Sequence, residues 1–201
     1  MKSIIGIKAG LKRSESNKDI ARKLFLSYST EVFKENEDKE FYIKDNIARQ
    51  FDIPFSSIEV AGSSKTGLSF FKDKKFQPGK SDLDIAIISL PLFNKFSEIS
   101  HQLTKGYSDL TVFPIFKGYS TAQQFRNGIS NNGFVNPFFM PNCELKSAWL
   151  DFFNSLSNNH FDLFKNINGG IYASEYFFEF KQEECINKYI NNPELYDKIS
   201  S

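Results

Sequence analysis

The chain has 201 residues, which is enough for one full hydrophobic core, and we expect a single domain with insertions. Its 25 Lys and Arg residues balance 24 Asp and Glu residues, so the net charge of +1 argues neither for nor against a nucleic-acid partner. The two cysteines and two histidines do not have the spacing of metal ligands, which predicts a protein of the reducing cytoplasm. We see no signal peptide and no apolar run of the roughly 20 residues that cross a membrane, so we expect a soluble protein.

Two helices are predicted before the first strand. Apolar residues four apart predict a helix over 16–33, which Ser16 or Asn17 can cap. The same spacing predicts a second helix over 38–51, and Pro54 follows its end.

Two predicted strands come next, separated by a turn and a loop. Residues 56–62 predict a short strand, and the glycines and serines of 62–67 predict a turn. A lysine-rich loop is expected over 70–80. The apolar run at 82–89 predicts the second strand, with a helix behind it at 90–103.

Beyond residue 105 the pattern is weaker. Residues 108–116 predict a strand that Pro114 restricts to an edge or a loop. The glycines and prolines of 117–141 predict largely irregular chain, and 160–174 predict a third core strand interrupted by a Gly-Gly pair. The remaining predicted elements are helices at 122–127, 144–156 and 175–190.

Asp82 and Asp84 are unusual because they lie in a run that otherwise predicts a buried strand. Side chains alternate along a strand, so both carboxylates point the same way, about 7 Å apart at Cα. Two such carboxylates repel each other and raise each other's pKa unless a cation lies between them. Oxygen ligands of this kind suit Mg²⁺ or Mn²⁺. The alternate residues are expected in the core, namely Leu83, Ile85 and Ile87.

The end of the first predicted strand provides a second polar feature. Gly62 allows close approach of the backbone, and the amides and hydroxyls of Ser63 and Ser64 can hold phosphate oxygens. Either feature alone is common in proteins. Their combination, in this order and each on a predicted strand, favours a site for a metal and a phosphate.

This combination resembles the signature of the DNA polymerase β superfamily of nucleotidyltransferases: a strand that ends in Gly-Ser, then Asp-x-Asp between apolar residues. The resemblance covers residues 40–90. It implies a mixed-sheet palm, two divalent ions held by three carboxylates, and transfer of a nucleoside monophosphate to a hydroxyl with loss of pyrophosphate. It also implies that Asp82 and Asp84 are the paired metal ligands and that Ser63 orients a phosphate.

The resemblance implies further site residues. Asp162 is the favoured third carboxylate, and Asp109 is its rival. If neither lies near the aspartate pair, we expect nucleotide binding without turnover. The lysines of the 70–80 loop are equally consistent with a solvated loop and with binding of a triphosphate or an acceptor; they are Lys72, Lys74, Lys75 and Lys80. The expected nucleotide-binding residues are Gly62, Ser63, Ser64, Lys65 and Lys80.

The expected architecture is one α/β (α+β) domain. N-terminal helices occupy 15–52, a palm with a mixed sheet of three to five strands occupies 56–106 and about 158–191, and a helical or irregular insertion occupies about 107–157. An insertion of this composition is expected to be a mobile or partner-binding element, which leaves the cleft open for a macromolecular acceptor or a partner chain.

The expected function is transfer of AMP from ATP, with Mg²⁺ or Mn²⁺, to a hydroxyl of a protein, an RNA or a small molecule. The expected setting is bacterial, in a toxin–antitoxin or phage-defence system. Two alternatives stay open. One is a catalytically degraded domain that binds a nucleotide or a partner, and the other is a minimal synthase of nucleotide second messengers.

Overall fold

The computed structural model describes residues 2–70, 72 and 74–192; Phe71 and Asp73, in the predicted 70–80 loop, lie outside the described residues. The α-helices in this part of the chain are α1 (Lys2–Lys12), α2 (Asn17–Arg22), α3 (Glu37–Phe51), α4 (Gly62–Thr66), α5 (Leu90–Leu103), α6 (Ala122–Asn132), α7 (Glu144–Asn159) and α8 (Glu175–Ile190). The strands are β1 (Ile58–Ala61), β2 (Leu68–Ser69), β3 (Lys74–Lys75), β4 (Leu83–Ile88), β5 (Ile115–Phe116), β6 (Tyr119–Ser120), β7 (Phe134–Val135) and β8 (Ile167–Tyr172). A π-helical turn, Lys23–Ser27, continues α2, and 3₁₀ turns lie at Glu31–Phe33, Phe55–Ser57 and Pro137–Phe139.

The main sheet has four strands in the order β1-β4-β8-β7. Strand β4 runs antiparallel to β1 and parallel to β8, and β7 runs antiparallel to β8. The sheet is therefore mixed, and the predicted α/β class is confirmed. Two smaller ribbons, β2-β3 and β5-β6, lie outside it.

Helices cover both faces of this sheet. On one face, the buried side chains of Leu83, Ile85 and Ile87 pack in a core with residues of α3, α5 and α7, as predicted. On the other face, Ala86 and Tyr172 pack in a second core with residues of α1, α2 and α8. Because β4 and β8 are buried on both faces, most of their positions are apolar, and a polar side chain there stands out.

The predicted helices over 38–51, 90–103, 144–156 and 175–190 are confirmed as α3, α5, α7 and α8, and the predicted strands over 56–62 and 82–89 as β1 and β4. The helix predicted over 16–33 is wrong beyond Ser27, because Tyr28 is extended and hydroxyl residues follow it. Ser16 caps α2 as predicted, since its Oγ accepts from Asp19 N at 3.1 Å. No element is predicted before residue 15, whereas α1 lies there and buries Ile4 and Ile7.

The third core strand begins later than predicted, at Ile167, because residues 160–163 form a turn. Gly169 and Gly170 lie inside the strand instead of interrupting it. A Cβ at Gly169 would overlap the rings of Phe153 and Trp149 on α7, so glycine lets the helix approach the sheet closely.

The segment 107–157 is more ordered than its composition predicts. Helix α6 extends to Asn132, five residues beyond the predicted end, and β7 joins the main sheet. The strand predicted over 108–116 is reduced to Ile115–Phe116, after Pro114. No helix in the described part of the chain is both long and apolar enough to span a membrane.

Candidate functional site

Asp82 and Asp84 lie at the start of β4 and line one cavity of about 480 Å³. Asp84 is paired in register with Ala61 of β1 and with Asn168 of β8. The strand periodicity that predicted a common direction for the two carboxylates therefore agrees with their position in one cavity wall.

Gly62 lies directly against the carboxylate of Asp84. Its φ of +64° is in the left-handed region, and a Cβ at this position would overlap Asp84 Oδ2. The chain reverses at Gly62 into α4 instead of the predicted turn, and Gly67 ends this short helix with a φ of +78°. The glycine is thus required both by the backbone and by the space that the aspartate fills.

A ribbon of lysines forms another wall of the cavity. Strands β2 and β3 pair antiparallel, with Ser69 opposite Lys74. The cavity lysines are exposed at its rim, and they are Lys72, Lys74, Lys75 and Lys80. Two carboxylates therefore face a strongly basic surface, which is an arrangement that can hold an anion together with a cation.

The pKa of Asp84 is raised to about 6. Burial among protein atoms is the largest cause, although the carboxylate is open to the cavity on one side, and the neighbouring Asp82 raises the pKa further. Lys72 and a hydrogen bond with Asn168 lower it, but by less. A cation bound between the two carboxylates would favour their charged forms and lower the pKa of Asp84.

Two asparagines lie beside the two aspartates, Asn166 immediately before β8 and Asn168 within it. Asn166 Nδ2 donates to Asp82 Oδ1 at 2.8 Å, and Asn168 is the register partner of Asp84. Among the described residues, no group of three or more His, Cys, Asp or Glu side chains could hold a metal ion. The sequence contains a pattern that could have indicated this pair: Asn-Ile-Asn at 166–168 has the same spacing of polar residues as Asp-Leu-Asp at 82–84.

Neither predicted third carboxylate lies with the pair. The sequence predicted Asp162 on the third strand, but it lies in the turn before β8. There, Lys39 Nζ lies 2.7 Å from its Oδ2. Asp109 lies beyond α5, where its Oδ1 accepts from Thr111 N at 3.0 Å and Oγ1 at 2.6 Å. Both side chains thus have partners away from the cavity, and neither lines it.

The predicted nucleotide-binding residues divide into two groups. Gly62, Ser63 and Lys80 line the cavity. The side chains of Ser64 and Lys65 are buried elsewhere: Ser64 Oγ donates to Ala61 O at 3.0 Å, and Lys65 Nζ donates to a backbone carbonyl at 2.7 Å. Burial lowers the pKa of Lys65, which fits a structural role behind the cavity.

The sequence did not predict the part of the cavity lining that lies at α8. Phe25, Leu68 and Phe70 line it together with Gln182 and Cys185 of α8. The lining therefore has a charged part, formed by the aspartates and lysines and called the charged end, and a largely apolar part at α8, called the apolar end. Residues 107–157, all of which the structure describes, contribute nothing to its lining.

No family model, curated protein or solved structure matches the chain.

Proposed function

We propose that this protein binds the magnesium or manganese complex of a nucleoside triphosphate in the cavity, as a nucleotidyltransferase-like domain that holds the nucleotide without transferring it. The observation that carries this proposal is the placement of Asp82, Asp84 and the four cavity lysines around one space. Separately placed, these charges would suggest only a solvated surface.

Asp82 and Asp84 would hold the divalent cation through carboxylate oxygens, which Mg²⁺ prefers. The ion, when bound, would neutralise both the carboxylates and part of the triphosphate charge. The raised pKa of Asp84 supports the fit, because it indicates a carboxylate that its own protein does not fully compensate. Gly62 allows Asp84 to adopt this position, because it has no Cβ that would overlap the carboxylate.

The lysines and Ser63 would bind the phosphates. Lysine is a mobile point charge that attracts phosphate without demanding one geometry, and Lys72, Lys74 and Lys75 belong to a ribbon at the rim. Ser63 follows the reversal at Gly62, and its hydroxyl can donate to a phosphate oxygen. The triphosphate would therefore lie between the lysine ribbon and the start of β4.

The two asparagines beside the aspartates support binding without turnover. Transfer by two metal ions needs enough negative charge to hold both ions and to activate the acceptor hydroxyl. Asn166 and Asn168 offer neutral amides beside the aspartates. The local charge is thus one unit less negative than with the third carboxylate that the sequence led us to expect.

A second candidate is transfer of AMP to a hydroxyl of a protein, an RNA or a small molecule. The open rim of the cavity favours it, because the four lysines are exposed and residues 107–157 do not cover them. A macromolecular acceptor or a partner chain could approach from that side. We rank it second because of the two neutral amides.

One experiment separates these candidates. The protein is incubated with each labelled nucleoside triphosphate and Mg²⁺ or Mn²⁺, in the presence of cell lysate or RNA, and both retained nucleotide and products are resolved. We expect retention of intact triphosphate that Asp82→Asn abolishes and the surface variant Asp109→Asn preserves. Label transferred to protein, RNA or a small molecule would favour the second candidate, and no retention at all would overturn the proposal.

A further inference from the structure

Gln182 of α8 is a largely buried polar side chain that borders the cavity. Only 3% of the residue is exposed, and it lines the apolar end of the cavity. No hydrogen bond joins its amide to another described side chain or backbone group, and the amide is not among the fully enclosed polar atoms that lack a partner, so it contacts the space of the cavity. An amide in this position is available to a ligand, because it has both a donor and an acceptor that face the cavity.

The surroundings of Gln182 are apolar and aromatic. Phe25, Leu68 and Phe70 form the adjacent lining, and each is at most 5% exposed. An apolar cavity with one polar group that fixes orientation is typical of a small-molecule site, and the volume of about 480 Å³ is in the usual range. A flat heterocycle suits this end better than a phosphate does.

We propose that the apolar end of the cavity takes the nucleobase, that Gln182 reads its hydrogen-bonding edge, and that the preferred base is adenine. This inference rests on the proposed function of the charged end. A glutamine amide carries a donor and an acceptor side by side, and it pairs with the N6 donor and N7 acceptor of adenine. The aromatic side chains of Phe25 and Phe70 contact the apolar faces of the base.

The orientation of the whole ligand follows from the two ends. The charged end lies at Gly62, Asp82 and Asp84, and the apolar end lies at Gln182. A nucleoside triphosphate has the same polarity, with anionic phosphates at one end and a planar base at the other. The cavity can therefore accept the ligand with its phosphates toward the aspartates and its base toward α8.

The test compares ligands that share the phosphate end but differ at the base. Affinities of Mg²⁺ complexes of ATP, GTP, UTP and inorganic tripolyphosphate are measured by calorimetry for the wild type, for Gln182→Leu and for the control Gln102→Leu. Gln102 is an exposed glutamine of α5 outside the cavity lining. We expect the wild type to bind ATP more tightly than GTP or UTP, and Gln182→Leu to weaken ATP binding about tenfold and leave tripolyphosphate binding unchanged. Equal affinities of the wild type for ATP, GTP and UTP would overturn the choice of adenine.

The outcomes distinguish the two proposals. If Gln182→Leu weakens tripolyphosphate as much as ATP, or if the wild type binds tripolyphosphate as tightly as ATP, the base does not occupy the apolar end and this inference is wrong. If neither ligand binds the wild type, the proposed function itself fails. Loss of fold is not expected, because leucine has a similar volume and the amide that it replaces makes no hydrogen bond within the described protein; Gln182→Met provides a second variant with a similar length and no hydrogen bonds.

Discussion

The carboxylate of Asp84 occupies the space that the Cβ of any residue other than glycine would take at position 62. This relationship joins the end of β1 to the start of β4, which are register partners at Ala61 and Asp84. The two halves of the sequence signature are therefore one packing unit. Changing either half should disturb the other.

Gly62→Ala should remove cation binding and destabilise the fold. Alanine is strained at a φ of +64°, at a cost of about 1–3 kcal/mol, and its Cβ displaces Asp84. Gly118→Ala is the matched control, since it has a φ of +85° and nothing within 4 Å of an added Cβ. Melting curves with and without Mg²⁺ should show strain in both variants but loss of Mg²⁺ stabilisation only in Gly62→Ala. Equal Mg²⁺ responses would contradict the packing argument.

Asp84→Asn should make the free protein more stable at neutral pH. The folded pKa of Asp84 is about 6, above its ordinary value of 3.8, so ionisation is harder in the folded state. The wild type therefore loses stability as the pH rises from about 4 to about 6, and the variant avoids that loss. Denaturation at several pH values measures the difference, with Asp151→Asn, an exposed position on α7 outside the cavity lining, as the control. A variant that is less stable at pH 7 would show that Asp84 has a structural role.

Asn168→Asp should strengthen binding of the divalent ion and weaken the free fold. A third carboxylate beside Asp84 adds like-charge repulsion that a cation relieves, and we expect roughly tenfold tighter Mn²⁺ binding. The exposed control Asn94→Asp on α5 makes the same charge change away from the cavity. If the asparagines block turnover, Asn168→Asp should also gain nucleotidyl transfer. Unchanged Mn²⁺ affinity would mean that the side chain at 168 does not reach the ion.

The cavity lysines should attract the triphosphate electrostatically, and salt should weaken this attraction, with a screening length of about 8 Å at physiological ionic strength. Replacing all four with serine should weaken binding of MgATP at least roughly tenfold and flatten its dependence on salt, with little change in melting temperature. The variant changes Lys72, Lys74, Lys75 and Lys80; the control changes Lys12, Lys95, Lys105 and Lys117, which are exposed outside the cavity lining. If the dependence of MgATP affinity on salt concentration is unchanged, the lysines are ordinary solvated surface residues.

Local patterns predicted the aspartate pair and Gly62 because strand alternation and glycine conformation are properties of short stretches. The position of Asn168 beside Asp84 depends on the parallel pairing of β4 with β8, which are separated by 78 residues between Ile88 and Ile167. No local pattern reveals that pairing or its register. Asp162 was misplaced for the same reason, since the start of β8 was predicted several residues too early.

The apolar end of the cavity could not be predicted from the sequence, for a different reason. Phe25, Phe70 and Gln182 come from three distant segments, and each follows the pattern of its own helix or loop. Only packing of α2 and α8 against the second face of the sheet brings them together. Arg22 contributes to this packing, with its Nε 3.0 Å from Glu179 Oε1 across the two helices.

The central claim is that Asp82 and Asp84 hold a divalent cation that also binds the triphosphate. A crystal grown with Mn²⁺ and a non-hydrolysable ATP analogue tests it directly, through the anomalous signal of manganese. We expect a manganese peak between the two carboxylates, with the triphosphate extending toward Lys72 and the base toward Gln182. A nucleotide bound elsewhere, or manganese bound without contact to either aspartate, would contradict it.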